Sequence, residues 1–293
     1  VCSSDLIKNI KSLLKQYYIV FNGTQDALFL VEMLKDGNFK YVRNNNAYLQ
    51  EFGLKGEEII NKTPKDVFGE ELGKRFCNYY KNCIEGKRVV VFEDDLFLNG
   101  KKRVFLTKLL PIVDEDDGVF IVGSREDITK RKEMEIELDR MANYDELTNI
   151  PNMRLFFKSF RNTINESKKM DKKFAVLFID LDWFKEINDN YGHKFGDTVI
   201  KGITNTICVM LEQDDKVFRY GGEEFSVLIR NKSGEEVADI IDSIRVAIAN
   251  KKWNDDVTVT ISAGVAHISD SKDVLEEADK NLYKAKQLGR NKV

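Results

Sequence analysis

The stretch on which the fold of this chain is organised reads Arg219-Tyr220-Gly221-Gly222-Glu223-Glu224-Phe225. Apolar residues precede it at Val217-Phe218 and follow it as far as Ile229. This pattern predicts a β-hairpin, because Gly-Gly is expected to supply the positive φ angles of a tight turn. The two adjacent carboxylates repel each other, so a counter-charge is expected, most simply a divalent cation. A solvated acidic hairpin is the alternative interpretation.

Length and composition limit the possible classes of protein. The 293 residues suffice for two domains with a core each. The formal net charge is −3 and no basic stripe is present, which argues against nucleic acid as a partner. No apolar run reaches the ~18 residues of a membrane span, and there is no signal peptide. The cysteines lack metal-type spacing and fit a reducing, cytoplasmic location: Cys2, Cys77, Cys83 and Cys208.

We predict four segments from these patterns. They are an N-terminal helix over 1–22, a small α+β domain over 23–129, a charged helical linker over 130–144 and a second domain over 145–293. The first helix carries an apolar stripe from Leu6 to Tyr17 that packs either on its own domain or on a second copy of the chain. The chain begins with Val1 rather than Met, so a membrane segment upstream of this sequence remains an open alternative.

The α+β domain alternates short strands and helices. Strands are predicted at Ala27–Leu34, Phe39–Val42, Arg88–Leu98, Arg103–Pro111 and Val119–Arg125, and helices at Ala47–Phe52, Glu57–Ile60 and Glu70–Ile84. Asn99-Gly100 is a hairpin signal between two of the strands. This order, with the run Asn46-Ala47-Tyr48-Leu49-Gln50-Glu51-Phe52-Gly53 and the closing Asp127-Ile128-Thr129, resembles the PAS sensor domain. The resemblance implies an antiparallel sheet with flanking helices.

The ligand of such a sensor stays unknown from the sequence. Both histidines, His193 and His267, lie outside the domain, which argues against His-ligated haem. The photoactive flavin subclass needs a cysteine that the stretch Asn44-Asn45-Asn46 lacks. Cys77 and Cys83 are interpreted as inert buried thiols. A small organic ligand, or none, remains.

The linker has the pattern of a short coiled-coil seam. Met134, Leu138 and Met141 are spaced four and three apart among charged residues. A helix of this kind between a sensor and an effector suits a dimer that transmits rotation or register. An ordinary amphipathic helix is the alternative.

The second domain is predicted to be a ferredoxin-like α/β sheet with helices packed on it. Its central strand is the apolar run Phe174–Ile179. The chain pattern is predicted to break over Tyr191–Asp197. Helices are expected from Pro151 or Asn152 to about Glu166, through Phe184–Asn188, and over Thr198–Leu211, Glu235–Ala249 and Asp273–Leu288, with a further strand over Val257–Val265.

Carboxylates are predicted to meet at one end of this sheet. Asp180 closes the central strand, and Glu223-Glu224 lie in a hairpin that would pair beside it. Acidic oxygens at neighbouring strand ends form the hard-ligand site that Mg²⁺ uses together with substrate phosphates. The alternative for Asp180 or Asp182 is a helix N-cap.

Five motifs in order resemble the GGDEF family of diguanylate cyclases. They are Asp180-Leu181-Asp182-Trp183-Phe184-Lys185-Glu186-Ile187-Asn188-Asp189, Gly192-His193 with Gly196-Asp197, Gly221-Gly222-Glu223-Glu224-Phe225, Tyr283-Lys284-Ala285-Lys286 and Gly289-Arg290-Asn291. The resemblance implies a nucleotidyl-cyclase fold that condenses two GTP molecules into cyclic di-GMP and releases two pyrophosphates. It also implies a homodimer joined through PAS domain and linker, in which two catalytic domains transiently face each other.

The resemblance also assigns roles to individual residues. Asp180, the Leu181 carbonyl and Glu223 would bind Mg²⁺, or Mn²⁺, with two ions per active site and Glu224 as a further ligand. Glu223 would also help to deprotonate the attacking 3′-hydroxyl. Asn188 and Asp197 match guanine-reading positions, and the acid at 197 favours GTP over ATP. His193 matches a position beside the substrate, with a structural turn residue as the alternative. The remaining matches are phosphate-binding positions: Lys185, Lys286 and Arg290.

Two departures from the family pattern carry expectations. Asn149 stands where the family usually has glycine, and Asn tolerates left-handed geometry. The family's inhibitory product site is Arg-x-x-Asp, whereas Glu212 and Asp215 stand here. Glutamate repels phosphate, so product inhibition is expected to be weak or absent.

Two other function classes stay in competition. One is a catalytically inactive GGDEF module that binds GTP or relays a signal by protein contact. The intact Gly-Gly-acid-acid motif and Asp180 argue against it. The other is a cyclase that makes a mixed dinucleotide, against which Asp197 argues.

Overall fold

The structure, a computed structural model, describes residues 3–98, 100–114, 118–170, 173–253, 257–267 and 273–293. The chain divides into two compact units, Val1–Ile136 and Glu137–Val293. The boundary falls inside a helix, α5, that spans Thr129–Asn143. The finer four-part division stays a prediction. None of the described helices combines the length and apolar character needed to cross a membrane.

The first unit contains a five-stranded antiparallel sheet with the order β2-β1-β5-β4-β3. Asn99 of the turn predicted at Asn99-Gly100 lies outside the described residues, whereas Gly100 has a φ of +74° and Leu98 pairs with Lys101. Helix boundaries differ little from the predicted ones. Helix α4 (Pro64–Gly86) is broken at Gly69, whose φ is +79°, so the part after the break matches the predicted Glu70–Ile84. A short helical stretch behind a Thr63–Asp66 capping box precedes the break. The elements are α1 (Ser3–Asn22), β1 (Ala27–Met33), β2 (Phe39–Asn44), α2 (Asn46–Phe52), α3 (Gly56–Ile59), α4 (Pro64–Gly86), β3 (Val90–Leu98), β4 (Lys101–Val113) and β5 (Val119–Asp127).

The core of this unit is aromatic and contains buried polar groups. The hydroxyl of Tyr41 hydrogen bonds to those of Tyr48 and Tyr80, and all three side chains are buried. Arg125 is only 4% exposed and its guanidinium lies over the rings of three phenylalanines. Its Nε donates to Thr107 at 3.1 Å and its Nη2 lies 3.5 Å from Asp94. The buried thiol of Cys83 and the partly buried one of Cys77 both have raised pKa values caused by burial.

Asn45 fastens three elements of the unit together. Its Oδ1 accepts from the backbone N–H of Leu28 in β1 and of Tyr48, where it caps α2. Its Nδ2 donates to the carbonyls of Phe21, at the end of α1, and Asp26. The end of α1 is therefore anchored, while the apolar side chains along the helix stay exposed, from 49% at Ile10 to 75% at Val20.

The start of α5 is anchored by the Asp127-Ile128-Thr129 motif. Asp127 caps the Thr129 N–H, and the Thr129 hydroxyl accepts from the backbone N–H of Val104 in β4. Ile128 is 2% exposed. Further along, the predicted seam is open to solvent: Met134, Leu138 and Met141 are 57–65% exposed.

The second unit is a four-stranded antiparallel sheet with helices on both faces. Its strand order is β7-β8-β6-β9, the ferredoxin-like arrangement predicted from the sequence. All eight residues of β6 are buried because helices cover both faces of the sheet. The elements are α6 (Met153–Met170), β6 (Phe174–Leu181), α7 (Phe184–Tyr191), α8 (His193–Met210), β7 (Lys216–Arg219), β8 (Glu224–Arg230), α9 (Gly234–Ala249), β9 (Ile261–His267) and α10 (Val274–Gln287).

Two predicted boundaries in this unit are wrong. The break predicted over Tyr191–Asp197 is confined to Gly192, whose φ of +83° lets α8 begin at once at His193. Strand β9 begins at Ile261 rather than Val257, although the Thr260 carbonyl still accepts from the N–H of Asp182 in the register of the ladder.

Glu51 gives the first unit a testable dependence on pH. Its Oε1 is buried without a hydrogen-bond partner among the described residues, and burial raises its pKa to about 7 although Arg125 opposes the shift. In an unfolded chain the pKa of glutamate is about 4.3. The group's contribution to stability is therefore complete below about pH 4.3 and is lost as the pH rises through about 7.

Glu51→Gln is expected to raise the melting temperature of the first unit at about pH 8 and to change it little at about pH 5, because the amide stays neutral. Both tryptophans, Trp183 and Trp253, lie in the second unit. A change in circular dichroism without a matching change in tryptophan emission therefore reports unfolding of the first unit. Glu57→Gln, at an exposed position, is the control. If the melting temperature of Glu51→Gln depended on pH as that of the wild-type protein does, the raised pKa of Glu51 would be refuted.

Candidate active site

The hairpin connection Tyr220–Glu223 is closed by the side chain of Arg219. Its Nε donates to the carbonyls of Gly221 and Gly222, both at 3.2 Å, and its Nη2 donates to Gly222 at 2.8 Å. Its Nη1 donates to the Asp145 carboxylate at 2.7 Å. One guanidinium therefore satisfies two turn carbonyls and one carboxylate, which fixes the acids that follow.

The hairpin is confirmed, but the role predicted for its glycines is wrong. Neither Gly221 nor Gly222 adopts a positive φ angle. The connection has four residues rather than two, and such longer loops are most often built around type I turns, which need no positive φ. A Cβ at Gly221 would lie 2.6 Å from Oε2 of Glu224, so a larger residue there would displace that carboxylate, whereas Gly222 has open surroundings.

Asp180 and the two glutamates come together at the ends of β6 and β8. Asp180 pairs across the ladder with Glu224, and the N–H of Leu181 donates to the carbonyl of Glu223 at 3.3 Å. Burial raises the pKa of Asp180, and the charge of Glu223 adds to the rise. Burial and the charge of Asp180 raise the pKa of Glu224. The acids thus destabilise one another's charged forms.

Lys286 supplies the nearest positive charge. Its Nζ lies 2.8 Å from Oδ2 of Asp180 and lowers the pKa of that carboxyl against the effect of burial. Lys286 lies in the last turn of α10, so the helix brings a phosphate-binding candidate directly to the acidic strand ends.

These residues fit a divalent cation that completes its coordination with substrate. Among the described residues no three acidic, histidine or cysteine side chains converge into a ready metal cage. Mg²⁺ does not need one, because it uses one or two carboxylates together with phosphate oxygens and water. Three mutually repelling carboxylates faced by one lysine leave a negative excess that suits a cation.

Asp182 has a structural role, and the predicted N-cap is wrong for both aspartates. The N-cap of α7 is Trp183, which makes no side-chain cap bond. The Asp182 carboxylate, 3% exposed, accepts from the hydroxyls of Thr260 and Ser262 at 2.7 Å each and from the N–H of Asn291 at 2.9 Å. It ties the C-terminal loop and β9 to the end of β6.

The predicted guanine-reading residues flank the short break at Gly192. Asn188 lies on α7 beside Gly196 of α8: a Cβ at position 196 would be 2.0 Å from Oδ1 of Asn188. Asp197 follows Gly196 and is exposed. Gly196 therefore permits the close approach of the two helices, with Asn188 against it and Asp197 at the next position of α8. His193 is exposed at the first position of α8.

The phosphate-binding candidates differ in their surroundings. Lys185 is exposed on the first turn of α7. The Arg290 guanidinium is stacked on the indole of Trp183, 3.8 Å from the ring centroid. Lys286 is the one of the three that contacts an acid of the site.

The two residues that match the family's inhibitory site, Glu212 and Asp215, already contact a neighbouring lysine. Lys232 lies 2.9 Å from the Glu212 carboxylate and 3.5 Å from that of Asp215. Asp215 is buried and also accepts from the backbone N–H groups of Arg230 and Glu212. It therefore acts as a local turn anchor.

Sequence reasoning missed the pair of Arg219 and Asp145, although Arg219 begins the glycine-rich stretch that it singled out. The partners are 74 residues apart, and no local spacing signals their contact. An arginine directly before a glycine-rich turn was the one available sign. Asn149, close to Asp145, has φ +57°, the left-handed geometry expected of it.

Comparisons with known proteins identify two families. A family model described as diguanylate cyclase, GGDEF domain, matches residues 142–292, and one described as PAS fold matches residues 21–133. Both resemblances noted in the sequence are thereby confirmed.

Individual relatives agree with these matches. The diguanylate cyclases DgcM of Escherichia coli K12 and of E. coli O157:H7 are 30% and 34% identical to this chain over 284 residues, covering 94% of it and 68% of each relative. A solved structure of the coiled coil and GGDEF domain of DgcB from Caulobacter crescentus, in complex with c-di-GMP, is 28% identical. It superimposes with a TM-score of 0.54 over 57% of this chain and 92% of that one.

The Arg219–Asp145 pair leads to a stability prediction for the second unit. Arg219→Lys keeps the charge but loses the planar donor set, so the free energy of unfolding should fall by about 2 kcal/mol. Asp145→Asn should cost about the same, and the double variant should cost clearly less than the sum. Urea unfolding followed by tryptophan emission measures these values in the second unit.

Arg154→Lys is the matched control, because Arg154 is exposed and should tolerate the change. Strictly additive costs for Arg219→Lys and Asp145→Asn would show that the two residues do not act together.

Proposed function

The chain belongs to the GGDEF family of diguanylate cyclases, which are nucleotidyltransferases, and on this basis we propose that it condenses two GTP molecules into cyclic di-GMP with release of two pyrophosphates. The observation that carries the proposal is the meeting of Asp180, Glu223 and Glu224 at adjacent strand ends, with Lys286 at 2.8 Å from Asp180. Degenerate domains lacking these acids could bind a nucleotide but could not organise its phosphates for transfer.

Mg²⁺ is the cation that this donor set suits, with Mn²⁺ as a substitute. Asp180, the Leu181 carbonyl and Glu223 would hold it, with Glu224 as the further ligand for a second ion. When bound, the cation neutralises charge on the transferred phosphoryl group. Arg219 contributes by holding the turn carbonyls, so that the backbone carrying Glu223 is fixed before substrate arrives.

The chain's own side chains provide proton transfer and recognition. Glu223, partly exposed at the turn, accepts the proton of the 3′-hydroxyl. Asn188 on α7 and Asp197 on α8 read the guanine edge, since a carboxylate accepts from the N1–H and N2–H₂ donors that adenine lacks. His193 lies at the break between these helices. Lys185, Lys286 and Arg290 bind the phosphates.

The reaction requires two copies of the chain, because each domain holds one GTP and each 3′-hydroxyl attacks the other's α-phosphate. Two exposed apolar surfaces support a homodimer. The first is the stripe of α1, and the second is the α5 seam of Met134, Leu138 and Met141. These helices adjoin the PAS domain, which is the proposed site of signal input.

Purified protein with Mg²⁺ and GTP should form cyclic di-GMP, with the product separated by chromatography and the dimer verified by light scattering. Glu223→Gln should lower the rate at least about a hundredfold, because the variant loses both a cation ligand and a proton acceptor. Glu277→Gln, exposed on α10, is the control.

A dimeric preparation that binds GTP without forming the product would favour the inactive module. A wild-type rate in Glu223→Gln would refute the role of that residue.

We further propose that the enzyme lacks product inhibition through the Glu212 site. Glu212 presents a negative charge, and Lys232 and Asp215 are engaged with each other and with their neighbours. A product phosphate would meet repulsion there rather than an arginine.

Micromolar cyclic di-GMP should therefore leave the initial rate nearly unchanged, with binding followed by calorimetry. Glu212→Arg should bind the product measurably tighter, since it presents a guanidinium beside Lys232. Gln213→Arg adds the same charge one residue away and is the control. Strong inhibition of the wild-type enzyme would show an inhibitory site elsewhere.

A further inference from the structure

Trp183 and Arg290 form a stacked pair that the proposed function does not account for. The guanidinium carbon lies 3.8 Å from the centroid of the indole ring. Trp183 follows Asp182 at the end of β6, and Arg290 lies four residues beyond Lys286, which contacts Asp180. Both members of the pair are thus carried by segments that also carry residues of the acidic site.

The backbone on both sides of the stack is held in an unusual conformation. Trp183, Arg290 and Asn291 have φ angles of +58°, +61° and +49°, in the left-handed region that bulky residues rarely adopt. Such geometry persists where surrounding contacts fix it, and it is common at functional sites.

The contacts that fix this backbone converge on Asp182 and the C-terminal loop. The buried Asp182 carboxylate accepts from the N–H of Asn291, and the N–H of Ala263 donates to the carbonyl of Lys292 at 2.9 Å. Arg245 Nη1 donates to Oδ1 of Asn291, also at 2.9 Å. Arg290 therefore sits in a loop anchored from α9, β9 and the end of β6.

Stacking leaves the hydrogen-bonding edge of the guanidinium available. A cation–π contact uses the face of the group, whereas its five N–H donors lie in the plane. Among the described residues none accepts a hydrogen bond from the Arg290 side chain. The ring thus restricts the arginine without consuming its donors, which is the arrangement that favours recognition of an oxyanion group.

We propose that Trp183 is a positioning residue whose indole holds Arg290 ready to bind a diphosphate group, that of the GTP β- and γ-phosphates or of the released pyrophosphate. The proposal rests on the proposed function for its substrate. Asp182 assists by anchoring the loop that carries Arg290. Trp183 itself contributes no hydrogen bond to the ligand.

A double-mutant cycle tests this role through binding alone. In the Glu223→Gln background, which prevents turnover, Trp183→Ala should weaken GTP binding in Mg²⁺ about three- to tenfold, the range of a partly exposed cation–π contact. Trp183→Phe keeps an aromatic face and should restore most of the affinity. In a protein that also carries Arg290→Ala, Trp183→Ala should have no further effect, because its partner is gone.

Separate titrations with pyrophosphate distinguish the two sources of the diphosphate group. If Trp183→Ala weakens GTP binding alone, Arg290 binds the substrate. If it weakens the binding of both GTP and pyrophosphate, Arg290 binds the diphosphate group that the two ligands share. The proposal would be overturned if Trp183→Ala lowered the affinity for GTP equally with and without Arg290. It would also be overturned if Trp183→Phe did not restore that affinity.

Tryptophan emission gives a second readout that a purely structural role would not move. The chain has two tryptophans, so Trp253→Phe leaves Trp183 as the sole emitter. Pyrophosphate or GTP should then change the emission, and Arg290→Ala should abolish that change. Unaltered emission at saturating ligand contradicts the proposal.

The two proposals fail in distinguishable ways. If the protein forms cyclic di-GMP but Trp183→Ala leaves the affinity for GTP unchanged, only the positioning role of Trp183 is refuted. If the ligand changes the emission of Trp183 but the protein forms no cyclic di-GMP, only the cyclase function is refuted.

Discussion

The Arg219 guanidinium is the interaction on which the rest of the catalytic unit depends. In the part of the chain that the structure describes, no backbone N–H donates to the carbonyls of Gly221 and Gly222, and a single side chain supplies donors to both. The same group reaches Asp145, while the Arg219 N–H donates to the carbonyl of Pro151. The segment that follows α5 is thus joined directly to the turn that carries the acids.

The first unit depends on a different kind of constraint, a row of buried polar side chains across three strands. Asp94, Thr107 and Arg125 lie on β3, β4 and β5, and each contacts the next. Buried ionic pairs of this sort add little net stability, but a shift of one residue in strand register would turn the charges to the other face. The row therefore specifies the alignment of β5, the strand that leads into α5.

Much of this architecture could be predicted from local sequence. The apolar run of β6 ending in Asp180, the hairpin and the spacing of the family motifs located the sheet and the acids. The Arg219–Asp145 pair could not be predicted, because its partners are 74 residues apart. Neither could the left-handed Trp183, whose geometry depends on contacts made by the C-terminal loop. The turn glycines show the opposite error: a local rule was applied to a loop whose shape is decided by a side chain outside it.

The hydrogen bond between Asp182 and Asn291 spans 109 residues of sequence, which has a consequence for synthesis on the ribosome. At translation rates of about 5–20 residues per second, the carboxylate waits about 5–20 seconds for this partner. Strand β6 must wait for β9 as well, although every one of its residues is buried in the finished sheet. The nascent catalytic unit therefore holds its most apolar strand without the β9 partner for seconds, an interval in which exposed apolar surface is open to aggregation.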